Sequence, residues 1–333
     1  MTVAAREAPR PAPSFFRRHL ETYPDLGLIL SSLVILVVLV VVFSFTSQQF
    51  FSTAVLVNIL TQASIYVIAG VGMTIVLTAG GIDISIGSII GLSATVMGIA
   101  LIDYGLPSVI ALCLGLLVGA ACGVFNGFLV AFVRVPSIIV TLGSLTFFRG
   151  LAYLLGGGTV YMRFPEFVVW IGSGRILGIP IPVFIAVAVV IWGQFFLKST
   201  RAGQRIIAVG GNEEAARLAG IGVTFYKLLT FVIMGILAGL TAIVIIARQD
   251  ASQAVMGFGI ELQVIAAVVL GGTSLFGGKG VVLGTVLGAL ILGVLQTGLL
   301  LSGVVEFWQL VTIGLMLIAV VAIRMHRESP EAR

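Results

Sequence analysis

From residue 26 to residue 323 the chain is a succession of apolar runs, divided by short stretches rich in glycine, proline and charge. Most runs approach the ~20 residues that a bilayer-spanning helix needs. Only 9% of residues are Asp, Glu, Lys or Arg, against about 25% in a soluble domain, and the mean hydropathy is +1.21. Hydrocarbon satisfies no backbone polar group, so runs of this kind must be helices or the strands of a closed barrel. Long runs without apolar/polar alternation point to helix. The expected fold is an all-α polytopic membrane protein of about ten transmembrane helices, some of them broken.

The runs are 26–45, 55–79, 84–102, 108–133, 137–155, 181–197, 228–247, 260–270, 281–301 and 307–323. The run 260–270 is too short to cross ~30 Å of hydrocarbon at ~1.5 Å per residue. It reads as a half-helix, or as a helix shielded by its neighbours. If it or 84–102 re-enters, eight or nine spans remain. The whole is read as one transmembrane domain, 26–323. A disordered basic cytoplasmic tail, 1–25, precedes it, and a short cytoplasmic tail, 324–333, follows. The polar start and the length of the first run argue for a retained span rather than a cleaved signal.

An even number of crossings puts both termini on one side. With the N-terminus inside, the inner side receives Arg6, Arg10, Arg17, Arg18, Arg134, Lys198, Arg201, Arg205, Arg217, Lys227, Lys279, Arg324, Arg327 and Arg333, 14 of the 18 basic residues. Arg163, Arg175 and Arg248 fall outside, and Arg149 lies within a run. This positive-inside bias accounts for the net charge of +5 without nucleic acid.

Polar residues inside the runs are few. Asn58, Gln62 and Tyr66 recur every four residues and so share one helix face. Such a face lines a watery path or bonds to a neighbouring helix. Asn126 and Gln263 are further candidates for the path, as are Asp83, Ser85 and Glu261 beside the breaks. Asp83 and Glu261 are also placed to cap helix N-termini, as are Ser85 and Ser88. Gly115, Gly119, Gly123 and Gly127 form a small-xxx-small stripe that marks a close helix–helix seam. Residues 248–259 read as a polar connection, and 156–182 as a longer loop. Cys113 and Cys122, nine residues apart, read as inert packing residues, and His19 and His326 sit in the tails. No metal site, cofactor site, nucleophile–base pair or phosphate-binding loop is found, so the chain is not expected to hydrolyse ATP itself.

The longest internal polar stretch is 198–227. Within it Asn212, Glu213, Glu214, Ala215, Ala216, Arg217, Leu218, Ala219 and Gly220 read as one short helix. Asn212 is its N-cap, the two glutamates lie at the positive end of its dipole, and Gly220 ends it in the left-handed region. Such a helix between apolar runs is either a solvated turn or a docking element for a cytoplasmic partner.

Four strings sharpen that choice: Gly80-Gly-Ile-Asp-Ile-Ser-Ile-Gly-Ser88, Ala208-Val-Gly-Gly-Asn-Glu-Glu-Ala-Ala-Arg-Leu-Ala-Gly-Ile221, Gly259-Ile-Glu-Leu-Gln-Val-Ile-Ala-Ala267 and Gly271-Gly-Thr-Ser-Leu-Phe-Gly-Gly-Lys-Gly280. In order and separation they resemble the monosaccharide (ribose, xylose, galactose) ABC importer permeases of the branched-chain amino acid/ribose permease superfamily. The resemblance implies a multi-pass permease of the bacterial inner membrane. It also implies a separate ABC ATPase subunit, an extracytoplasmic sugar-binding protein and a second permease copy or paralogue, all within membrane lipid. By the same resemblance, Asn212–Gly220 is the segment that couples to the ATPase. Two other readings remain at this point: a proton-coupled secondary sugar transporter titrating Asp83 or Glu261, and a membrane scaffold or channel.

Overall fold

The computed structural model describes residues 24–328. Residues 1–23 and 329–333, which hold nearly all of the expected N-terminal tail and the end of the C-terminal one, lie outside the described residues. The helices are α1 (Pro24–Thr46), α2 (Thr53–Thr78), α3 (Ile86–Ile102), α4 (Ser108–Ala131), α5 (Ser137–Gly156), α6 (Glu166–Ser173), α7 (Ile181–Ser199), α8 (Arg201–Gly211), α9 (Glu213–Leu218), α10 (Val223–Gln249), α11 (Ile260–Leu270), α12 (Val282–Leu301) and α13 (Glu306–Glu328). Four two-residue strands make two small antiparallel ladders: β1 (Tyr161–Met162) with β4 (Ala251–Ser252), and β2 (Arg175–Ile176) with β3 (Ile179–Pro180). Seven of the described helices (α1, α2, α4, α5, α7, α10 and α12) are long and apolar enough to cross a membrane, and α3, α11 and Phe307–Met316 of α13 are shorter apolar helices. The fold is that of an all-α polytopic membrane protein.

Several boundaries move. The helix α10 starts at Val223, five residues before the apolar run, because Val223 and Tyr226 are buried and continue its inner face. The C-terminal helix continues to Glu328, past the point at which the cytoplasmic tail was expected to begin. The stretch 156–182 is no bare loop, since it holds α6 and three of the short strands.

The centre of the bundle is α2, α3 and α10, whose buried residues form one apolar cluster with parts of α4, α7 and α11. Along α4, Gly119 and Gly123 bring the backbone onto α10. A Cβ at Gly119 would lie 2.2 Å from the Gly235 carbonyl oxygen, and one at Gly123 would lie 2.3 Å from that of Phe231. The contact is reciprocal, because a Cβ at Gly235 would sit 2.1 Å from the oxygen of Gly119. Gly127 meets Leu228, whereas Gly115 accommodates the Met97 side chain of α3. The stripe therefore fits two partners. Replacing Gly119 with Val puts bulk against backbone that has nowhere to go, and should destabilise the detergent-solubilised protein by about 1–3 kcal/mol. A thermal melt followed by size-exclusion fluorescence measures this, and an unchanged melting temperature would refute the seam.

The stretch after α10 departs most from the sequence reading. Within what read as a polar connection, residues 252–257 run down α3, antiparallel to it. Ser252 packs at Gly98, the carbonyls of Ala254 and Met256 at Gly91, and that of Gly257 at Gly87. Those three glycines span ~16 Å of helix rise. Non-helical backbone at membrane depth is tolerated only where protein satisfies its polar groups. Here the Ser252 hydroxyl donates to the Ala94 carbonyl oxygen at 2.7 Å. The Arg149 guanidinium donates to the oxygens of Ala254 and, at 2.8 Å, Met256. The mid-run arginine thus fastens this run of turns to α5. At Gly259, in the left-handed region at φ 81°, the chain turns into α11.

The chain then turns through 271–280 and meets the end of α8. Gly278 N–H donates to the Thr78 carbonyl oxygen at 2.9 Å. A Cβ on Gly210 would lie 1.8 Å from that same oxygen. The C-terminus of α2, the C-terminus of α8 and the turn below α11 therefore touch backbone to backbone.

Candidate functional site

Two regions about 30 Å apart along α2 hold most of the singled-out residues, since Asn58 lies near its start and Thr78 at its end.

At the Thr78 end, the polar stretch folds into two helices where the sequence reading had one. Missing from that reading was α8, which Thr200 caps by accepting from the Gly203 N–H at 3.0 Å. The signals were present: a threonine three residues before Gly203, and Ile206 and Val209 three apart as its buried face. Arg205 ties α8 to α10 by donating to the Tyr226 hydroxyl at 2.6 Å. The helix α9 is capped by Asn212, whose Oδ1 accepts from Ala215 N–H at 2.9 Å. Gly220 is left-handed at φ 79°. Only Ala216 is buried; Ala215, Ala219 and the rest of 212–220 are exposed, and Leu218 is 82% exposed. Glu213 is held by Arg217 at 3.0 Å and by Lys227 of α10, and Arg217 also reaches Glu214 at 3.4 Å. Glu213 thus anchors α9 to α10, while Glu214 and Leu218 face outward.

At the Asn58 end lies a cavity of about 400 Å³ between α2, α10, the turns of 253–258, α11, α12 and α13. Gln62, Tyr66 and Gln263 line it, together with Arg248, Gln249, Gln253, Gln296 and Gln309. Arg248 donates from NH1 to Gln62 Oε1 and from NH2 to Asn58 Oδ1, each at 2.6 Å. Gln62 Nε2 donates to the Tyr66 hydroxyl at 2.7 Å, and Tyr66 donates to Gln296 Oε1 at 2.8 Å. The shared face of α2 is thus both a cavity wall and an interhelical bond network. Arg248, Gln249 and Gln253 escaped the sequence reading because they fall in what read as a polar connection, and Gln296 and Gln309 because each is an isolated polar residue in an apolar run. No carboxylate is among the lining residues.

The remaining candidates sit elsewhere. Asp83, Ser85 and Asn126 are fully buried, away from this cavity. Asn126 Nδ2 donates to Ser85 Oγ at 2.8 Å, and Ser85 donates from Oγ at 2.6 Å and from its N–H at 2.9 Å to Asp83 Oδ1. None of these side chains caps α3, contrary to expectation: Asp83 holds the residue before the helix, and Ser88 donates its hydroxyl to the Ser85 carbonyl oxygen. The cause is local, since Ser85 already has helical dihedrals (φ −77°, ψ −5°) and its own N–H is the donor that Asp83 reaches. Glu261 does bond at its own helix end, accepting from Gly259 N–H at 3.2 Å.

The family model described as branched-chain amino acid transport system / permease component matches residues 55–321. The ribose import permease protein RbsC of Escherichia coli (strain K12) is 40% identical over 296 residues, covering 88% of this chain and 92% of that protein. The D-allose transport system permease protein AlsC of the same strain is 36% identical over 292 residues, covering 87% and 89%. The inner membrane ABC transporter permease protein YjfF, also of that strain, is 36% identical over 283 residues, covering 83% and 85%. No solved structure matches the chain. With the match running from the start of α2 almost to the end of α13, the chain belongs to the branched-chain amino acid transport system permease family.

Proposed function

We propose that this chain is the membrane conduit of an ATP-binding cassette importer, passing a monosaccharide or sugar-like solute that an extracytoplasmic binding protein delivers. The chain is a multi-pass inner-membrane permease subunit and not an enzyme; the energy comes from a separate ATPase. The observation that carries the cargo reading is the cavity at the Asn58 end. Six glutamines, a tyrosine and an arginine offer donors and acceptors suited to hydroxyls, and no carboxylate lines it to couple a proton. Relatives named for ribose and D-allose support the same class.

In this reading the α9 face, with Arg134, Lys198, Arg201, Arg205, Arg217 and Lys227, is cytoplasmic, and the Arg248 cavity opens outside. Ten apolar segments cross, α11 doing so with the run of turns before it. Residues 26–323 act as one transmembrane domain, paired with a second permease copy or a paralogue. The helix α9, from Asn212 to Gly220, docks on the ATPase. Gln62, Tyr66, Gln263, Arg248 and Gln296 meet the cargo, while Asp83, Ser85 and Asn126 brace the bundle and Glu261 holds the start of α11.

Reconstitution in liposomes tests this. Sugar accumulation should require ATP, the ATPase subunit and the binding protein together. Accumulation by this chain alone, driven by a pH gradient and indifferent to ATP, would establish the secondary-carrier reading instead.

A further inference from the structure

A second cavity, of about 390 Å³, opens beside α9. Gly80, Gly81, Arg134 and Ser137 line it, together with Glu213, Arg217 and Lys227. Its charges are unequally used. Glu213 is bound by both Arg217 and Lys227, and Glu214 by Arg217, so those four charges balance one another. Arg134 makes no hydrogen bond or ion pair among the described residues. It is exposed, and its backbone sits in the left-handed region at φ 65°, where an L side chain is disfavoured. The turn from α4 into α5 imposes that conformation. Val135 N–H bonds back to the Leu129 carbonyl oxygen at 3.2 Å, and Pro136 then opens α5. A guanidinium without a counter-charge is therefore held at the mouth of a polar cavity that shares Glu213 and Arg217 with the exposed helix.

We infer that the ATPase subunit makes two contacts with this chain, one on α9 and one through an aspartate or glutamate side chain that enters this cavity and pairs with Arg134. The inference rests on the proposed docking role of α9 and deepens it. A partner seated on Leu218 and Glu214 covers the cavity mouth, because the cavity wall and the helix share residues. The surplus charge there is positive, so electrostatic complementarity selects a carboxylate. Guanidinium and carboxylate match as a planar, two-pronged pair.

The experiment measures binding of the purified ATPase subunit to the full-length permease in nanodiscs of neutral phosphatidylcholine, across a range of salt concentrations. Arg134→Gln should weaken binding about tenfold at low salt and flatten its salt dependence. Arg134→Glu should weaken it further, and Arg134→Lys should retain only part of it, since the charge stays but the planar fork is lost. Melting temperatures matching the wild type certify the fold. Leu218→Asp serves as the reference variant. If it abolishes binding while Arg134→Gln binds as wild type at every salt concentration, the cavity contact is wrong and α9 docking stands. If neither variant affects binding, α9 docking itself is wrong. An effect of Arg134→Gln that appears only when phosphatidylglycerol is added assigns the cavity to a lipid headgroup and overturns the carboxylate.

Discussion

Leu218→Asp should abolish sugar uptake and the stimulation of ATP hydrolysis by the permease, while leaving a folded chain in the membrane. Leu218 is 82% exposed at the end of a helix whose other apolar contact, Ala216, is already buried. Its removal therefore costs the fold little. A central apolar anchor in a protein interface is worth about 2 kcal/mol or more, which is roughly thirtyfold in affinity, and a buried aspartate adds a desolvation cost. The simultaneous replacement of Glu213, Glu214 and Arg217 by Ala should give the same loss of coupling. The structure separates those three. Glu213→Ala alone breaks two exposed ion pairs, each worth about 0.2–1 kcal/mol, and should act mainly by loosening α9 from Lys227. Glu214→Ala should act at the partner. ATP-dependent uptake in proteoliposomes, read beside surface-accessible labelling of the permease, distinguishes these cases. Normal uptake by the Leu218→Asp protein would remove α9 from the coupling surface.

Arg149→Met should prevent recovery of a folded permease. The side chain supplies donors to the carbonyl oxygens of Ala254 and Met256, in a stretch that has left helical structure within the bundle. Each buried carbonyl left without a partner costs about 1–3 kcal/mol. Their loss together should bring the yield of monodisperse protein close to zero. Arg149→Lys should rescue only part, because both bonds come from one terminal guanidinium nitrogen and the lysine ammonium ends one atom short of it. Yield and melting temperature in a mild detergent give the measurement. A monodisperse Arg149→Met protein melting with the wild type would show that water or other donors serve these carbonyls.

The sequence made the membrane helices legible because hydrocarbon imposes a length and a composition on them. Asn212 and Gly220 were legible because caps have strong residue preferences. The glycine stripe announced close packing but not its partners, since Gly235 and Gly239 belong to a helix more than a hundred residues away. The dip at 252–257 was hidden because satisfying its carbonyls depends on Arg149, a tertiary contact that no local pattern encodes. For the same reason Arg149 stood in its run with no partner visible in the sequence. The polar face of Asn58, Gln62 and Tyr66 was visible from its spacing, whereas Arg248 and Gln296 became part of the same site only through folding. Asp83, Ser85 and Asn126 carried no signal to tell a bracing network from a path.

The staple of Arg149 to the turns before α11 also bears on how the protein is made. The carbonyl of Ala254 lies 105 residues after Arg149 in the chain. At about 5–20 residues per second, the ribosome needs roughly 5–20 s to deliver it. During that interval α5 stands in the translocon or the bilayer with an unpaired guanidinium, a state that costs about 2.5–3.5 kcal/mol on insertion scales. Through that window the nascent permease is open to membrane quality control, and slowing translation between codons 150 and 256 should lower the amount of mature protein without altering a single contact in it.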